Sequence, residues 1–129
     1  MEKIINLNGK EIGLKASAMN LLIHQQEFGI DMFQDKNSII SAVSSNYTID
    51  IGKLNGLAVC RLLWTFARTY DRKFPSFTKW MEEMEEIPIL EIFNDVYELF
   101  LTNMHQRTDI VKNSVGTEDE TEERKPSNS

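Results

Sequence analysis

Residues 54–70 read LNGLAVCRLLWTFARTY. Leu54, Leu57, Ala58, Arg61, Leu62, Thr65 and Phe66 recur at steps of three and four, the period of one helix face. Cys60, Leu63, Trp64 and Ala67 make the other side apolar too. A helix apolar over most of its circumference is packed on several sides, so this stretch predicts a central helix ending near Tyr70 to Arg72. Asp50 is placed to cap it. Gly52 and Gly56, four apart, suggest close packing or a late helix start rather than a ligand loop.

Upstream, Ile5 and Leu7 alternate with polar neighbours, Asn8-Gly9 follows, and Ile12 and Leu14 resume the alternation. Asn-Gly suits a type I′ turn, because both central residues need positive φ. This predicts a β-hairpin over about residues 1–15, which must dock on the helices because a lone hairpin is marginal in water. Ser17 can cap a first helix, with Ala18, Leu21, Leu22 and Phe28 at near-helical spacing and Gly29 at the left-handed C-terminal position. Ile30 to Phe33 predicts a helical turn folding Met32 and Phe33 onto the core. Asp35 to Ser38 predicts a separate start, with Ile39, Ile40 and Val43 as its apolar face. Ser44 to Tyr47 is a polar break.

Downstream, Pro75 disfavours helix at Phe74, and Ser76 can cap a short helix carrying Phe77, Trp80, Met81 and Met84. Pro88 suits the first turn of a last helix. Its stripe is Ile89, Ile92, Phe93, Val96, Tyr97, Phe100, Leu101 and Met104, fading after His105. From Lys112 the composition changes: one aliphatic residue (Val115), no aromatic, and acids at Glu118, Asp119, Glu120, Glu122 and Glu123. Such a segment cannot offset chain entropy by burial and is expected to be disordered. The expected fold is mainly α: a small helical bundle with an N-terminal β-hairpin and a disordered acidic C-terminal tail. Residues 1–111 form the domain and 112–129 the tail.

At 129 residues there is room for one domain. Net charge is -6, which argues against phosphate binding and so against nucleic acid. Arg68, Arg72 and Lys73 cluster, but Asp71 interrupts them, and they read as a solvated helix end. Met1 to Leu7 lacks the apolar core of a signal peptide, and no run approaches the roughly 18 apolar residues of a membrane span, so the cytosol is expected. Cys60 is the single cysteine and reads as an inert buried thiol.

No enzyme chemistry is expected. His24 and His105 lack a second ligand at metal spacing, since Glu27 three residues after His24 has no repeat elsewhere. His24 therefore reads as a surface or half-buried histidine. Serine-hydrolase elbow, phosphate loop and zinc spacing are all missing, and no catalytic residue, metal or cofactor is assigned. Glu82, Glu83, Glu85 and Glu86 form a dense patch, readable as a solvated helix side or as a docking surface for a basic partner. Trp80 beside it reads as core or as an interface anchor.

The order of features carries a resemblance. After the hairpin, a helix closes on Phe28-Gly29-Ile30-Asp31-Met32-Phe33, and the central helix ends in Ala67-Arg68-Thr69-Tyr70-Asp71. Pro75-Ser76-Phe77-Thr78-Lys79-Trp80-Met81 then leads to a long final helix. Over about residues 10–105 this resembles the tail assembly chaperones of long-tailed bacteriophages and prophages of Gram-positive hosts. The resemblance implies a non-enzymatic, cytoplasmic role in tail morphogenesis, with absence from the finished virion. It implies binding of the tape measure protein and, through a longer frameshifted form, recruitment of major tail tube protein. A homo-oligomer is compatible with it. Phe77, Trp80, Met81, Met84 and Met104 are the expected partner-binding residues, since methionine repacks easily. The alternatives are a structural or adaptor protein of the particle and a small transcriptional regulator.

Overall fold

A computed structural model describes residues 1–46 and 48–101. Two compact units divide the chain, Met1–Leu99 and Phe100–Ser129; of the second, residues 100 and 101 are described and both are helical. The expected tail over 112–129, Met104 and the boundary near residue 111 lie outside the described residues.

The described fold is mainly α with an N-terminal hairpin. Strands β1 (Glu2–Leu7) and β2 (Lys10–Lys15) pair antiparallel, with Leu7 opposite Lys10. The turn is the expected one: Asn8 and Gly9 have φ of 53° and 84°. Pairing sets Ile5 opposite Ile12 and Lys3 opposite Leu14, so these share a face; Ile5, Leu7 and Leu14 are buried. Ile4 and Gly13 oppose each other on the other face, where Ile4 is exposed. Tyr70 lies over Gly13 so closely that a Cβ there would collide with its ring.

Helix α1 (Met19–Phe28) has Ala18, which offers no side-chain cap, at its N-cap position; the expected cap, Ser17, stands one residue earlier, its hydroxyl accepting from the Met19 N–H while Asn20 Oδ1 accepts from the Ser17 N–H. It ends at Gly29, φ 70°, whose N–H donates to Gln25 O. Its buried face differs from expectation: Leu21 and Leu22 are exposed, and Asn20, Ile23 and His24 point inward. The physical reason is that the two inward polar side chains find buried partners on other helices.

Helix α2 (Met32–Ile40) is continuous, capped by the Asp31 carboxylate accepting from the Phe33 N–H. The separate start expected at Asp35 is not there; Asp35 is a buried mid-helix residue. Met32 is buried as expected, whereas Phe33 stays outside with Lys36 over its ring. A 3-10 turn (Ile51–Lys53) follows, and it is this turn that Asp50 caps. The central helix α3 (Gly56–Tyr70) starts late and is capped by Asn55, which accepts from the Ala58 N–H. Ala58 to Cys60 and Leu62 to Ala67 are buried, while Leu57, expected on the apolar face, is exposed in the first turn. Helix α3 packs against β2, α1 and α2, which makes it the core of the fold.

Ser76 caps α4 (Phe77–Glu83) as expected, and α5 covers residues 89–101 of those described. Pro88 precedes its first turn, its carbonyl accepting from the Ile92 N–H. Within the first unit Ile92, Phe93, Val96 and Leu99 are buried; Leu99 is a core residue that the predicted stripe omits. Lys3 joins β1 to α5 by pairing with Asp95 (3.0 Å) and Glu98.

Candidate functional site

The densest polar chemistry lies inside the fold. His24, expected at or near the surface, is fully buried on α1. Its Nε2 donates to Asp35 Oδ2 of α2 at 2.8 Å, and its Nδ1 stands 2.6 Å from Thr65 Oγ1 of α3. Asp35 also accepts two hydrogen bonds from Arg61, at 2.8 and 2.6 Å, a bidentate pair. A carboxylate so engaged only accepts, which assigns the Nε2 proton to His24. Burial pushes His24 below the usual histidine range against the pull of Asp35, with Arg61 adding to the push. Neutral imidazole leaves Nδ1 an acceptor, so the single Thr65 hydroxyl proton is shared between His24 Nδ1 and Arg61 O, the latter 2.9 Å away. The network runs on through Thr69, which donates to Thr65 O, to Asn20, which donates to Thr69 Oγ1 and to Lys15 O.

Hydroxyl, imidazole and carboxylate in this order resemble a nucleophilic relay. The setting is different: His24 and Thr65 are 0% exposed and Asp35 is 2% exposed, so no substrate atom reaches them. The arrangement locks α1, α2 and α3 together. Cys60 is buried as well, and burial raises its thiol pKa, which keeps it protonated and inert.

A run of aromatic rings leads from this network to the surface. Phe28 meets His24 edge-on at 4.7 Å, Trp64 at 5.4 Å and Phe77 at 5.0 Å. Trp80 in turn lies 6.0 Å from Phe77 and 6.1 Å from Phe74. The Trp64 indole donates to Pro75 O at 2.8 Å, fixing the loop before α4. Arg68 stacks over Trp64 and donates to Phe74 O, so this member of the basic cluster has a structural task. Glu27 accepts from the Phe77 N–H, one of the free donors at the start of α4. These contacts fix α4 against the body of the fold.

Between α4 and the hairpin tip lies an open cleft of about 570 Å³. Leu7, Ile12, Phe74, Pro75, Trp80 and Met84 supply its apolar surface. Among the described residues its charged lining is Glu11, Glu83, Glu85 and Glu86 against Lys10. The Asn8 side chain donates to Glu86 O at 2.9 Å, tying the hairpin turn to the loop after α4.

Of the expected partner-binding residues, Trp80 and Met84 line this cleft. Trp80 is only 7% exposed, so it is a packed wall rather than a protruding anchor. Phe77 sits behind it in the aromatic run, and Met81 is half-buried outside the cleft lining. Met104 lies outside the described residues. Sequence reasoning missed Leu7, Ile12 and Phe74 as cleft residues, because they meet α4 only through the docking of the hairpin. The one available signal was that the hairpin must dock somewhere.

Among the described residues, no group of three His, Cys, Asp or Glu side chains is placed to hold a metal, and no helix is long and apolar enough to cross a membrane. No family model, curated protein or solved structure matches the chain.

Proposed function

We propose that the protein is a tail assembly chaperone of long-tailed bacteriophages or prophages, acting in the host cytoplasm by binding the tape measure protein. The observation that carries this reading is the apolar, acid-rimmed cleft held open between the hairpin tip and α4. A cleft of this kind receives apolar side chains of an amphipathic segment, which is what a chaperone of a long helical client must cover. The buried polar network supports a binding role, because every polar side chain in it is spent on joining helices.

The two segments behind the resemblance also have interlocking physical roles. Gly29 ends α1, Asp31 caps α2 and Ser76 caps α4, while the Phe28 and Phe77 rings touch. Recruitment of tail tube subunits through a longer frameshifted form belongs to the same proposal.

Co-expression with the tape measure protein tests it. The expected result is that the tape measure protein moves into the soluble fraction and co-purifies. Unchanged solubility would sink the reading. Mass spectrometry of purified particles separates it from a structural or adaptor role, for which the chain would be found in the virion.

A further inference from the structure

We propose that the cleft between the hairpin tip and α4 seats a basic amphipathic helix, with large apolar side chains against Trp80 and Met84 and flanking lysines or arginines on the acidic rim. This deepens the chaperone reading and rests on it for the source of the helix, a segment of the tape measure protein. Its chemistry rests on the cleft.

Three features select this occupant. The apolar surface joins a fixed wall to an adaptable one. Trp80 is held by Phe74 and Phe77, whereas Met84, half-buried after the end of α4, repacks easily. Among the described residues the opening is predominantly acidic, Glu11, Glu83, Glu85 and Glu86 outnumbering Lys10. Such a rim attracts cationic side chains and repels phosphate and anionic headgroups. The cleft is also open rather than enclosed, and the Asn8 bond to Glu86 O fixes its rim at the hairpin turn. That geometry suits side chains entering from a segment lying across it.

Charge argues against the other protein occupants. Residues 112–129 carry five acids against three basic residues. A second copy brings a net charge of -6. Both would set like charge against the rim.

The test uses the full chain and a synthetic amphipathic peptide of leucine and lysine, about five helical turns long. Its counterpart has glutamate in place of every lysine. Binding is followed through the NMR signals of the Trp80 indole and the Met84 methyl. The lysine peptide is expected to move both signals, and the glutamate peptide to bind at least about tenfold more weakly. The paired variant Glu83→Lys, Glu86→Lys is expected to weaken the lysine peptide by about tenfold or more, with an unchanged circular dichroism spectrum. Met84→Asp supplies a second probe through the apolar wall and should also weaken it.

The proposal is overturned if the lysine peptide leaves both signals unmoved. It is equally overturned if the two peptides bind alike, or if dilution of the protein alone shifts both signals, which would mark a second copy as occupant. If tape measure protein co-purifies equally with wild type and the charge-reversed variant, the cleft assignment falls and the chaperone reading stands. If the lysine peptide binds at Trp80 and Met84 while co-expression fails to solubilise the tape measure protein, the cleft assignment stands without the chaperone reading.

Discussion

The imidazole of His24 and the carboxylate of Asp35 meet at 2.8 Å in the buried interior, joining α1 to α2. Its folded-state pKa lies below the ordinary value of 6.5, so the unfolded chain takes up this proton first as pH falls. The stability from neutral His24 is fully present above pH 6.5 and is lost as pH drops through the folded-state value. Urea midpoints measured from pH 7.5 down to 5 should fall for wild type more steeply than for His24→Gln. Parallel profiles would contradict the neutral assignment.

Removing Asp35 tests the same network from its other side. Asp35→Ala leaves the Arg61 fork and the His24 Nε2 without their acceptor. The expected loss is about 3 kcal/mol, the scale for breaking a buried pair by deleting one partner. A loss under about 1 kcal/mol would mean that water replaces the carboxylate, contrary to the burial described.

Gly29 ends α1 in the left-handed region, with open space where a Cβ would stand. Gly29→Ala should therefore cost about 1 kcal/mol through backbone conformation alone. Thermal unfolding would show this as a lower midpoint, by roughly 4–8 °C. An unchanged midpoint would require another ending for the helix.

Gly13→Ala drives a methyl into the Tyr70 ring and should destabilise the docked hairpin. In a Tyr70→Ala background the same change should cost less, giving a coupling of about 0.5 kcal/mol or more in a double-mutant cycle. Additive costs would show that the ring swings clear without penalty.

Cys60 is 2% exposed and its thiol is held protonated by burial. A disulfide reagent such as DTNB should react with it slowly in native protein and at once in urea, at a native rate set by opening of the fold. Fast native labelling would place Cys60 at a surface.

Local signals were legible in the sequence, and long-range ones were not. The Asn8-Gly9 turn, the Gly29 end and the cap at Ser76 depend on a few neighbouring residues, and each stands where those neighbours put it. The central helix was legible because its apolar side chains surround it. The inward face of α1 was not, since the partners of His24 lie 11 and 41 residues away and no local spacing reveals them. For the same reason Leu21 and Leu22 misled: hydropathy favours burying them, but a satisfied polar network turned α1 the other way. The cleft was half legible, through Trp80 and Met84, because its other wall comes from the hairpin.

The pairing of Lys3 with Asp95 and Glu98 has a consequence for how the chain is made. On the ribosome the hairpin emerges well before this anchor, since Lys3 and Glu98 lie 95 residues apart in sequence. Until α5 has emerged, β1 lacks its charge partners there, and a two-stranded sheet is weak by itself. The hairpin, and with it one wall of the cleft, should therefore be completed only after α3 offers a surface to dock against and α5 has emerged.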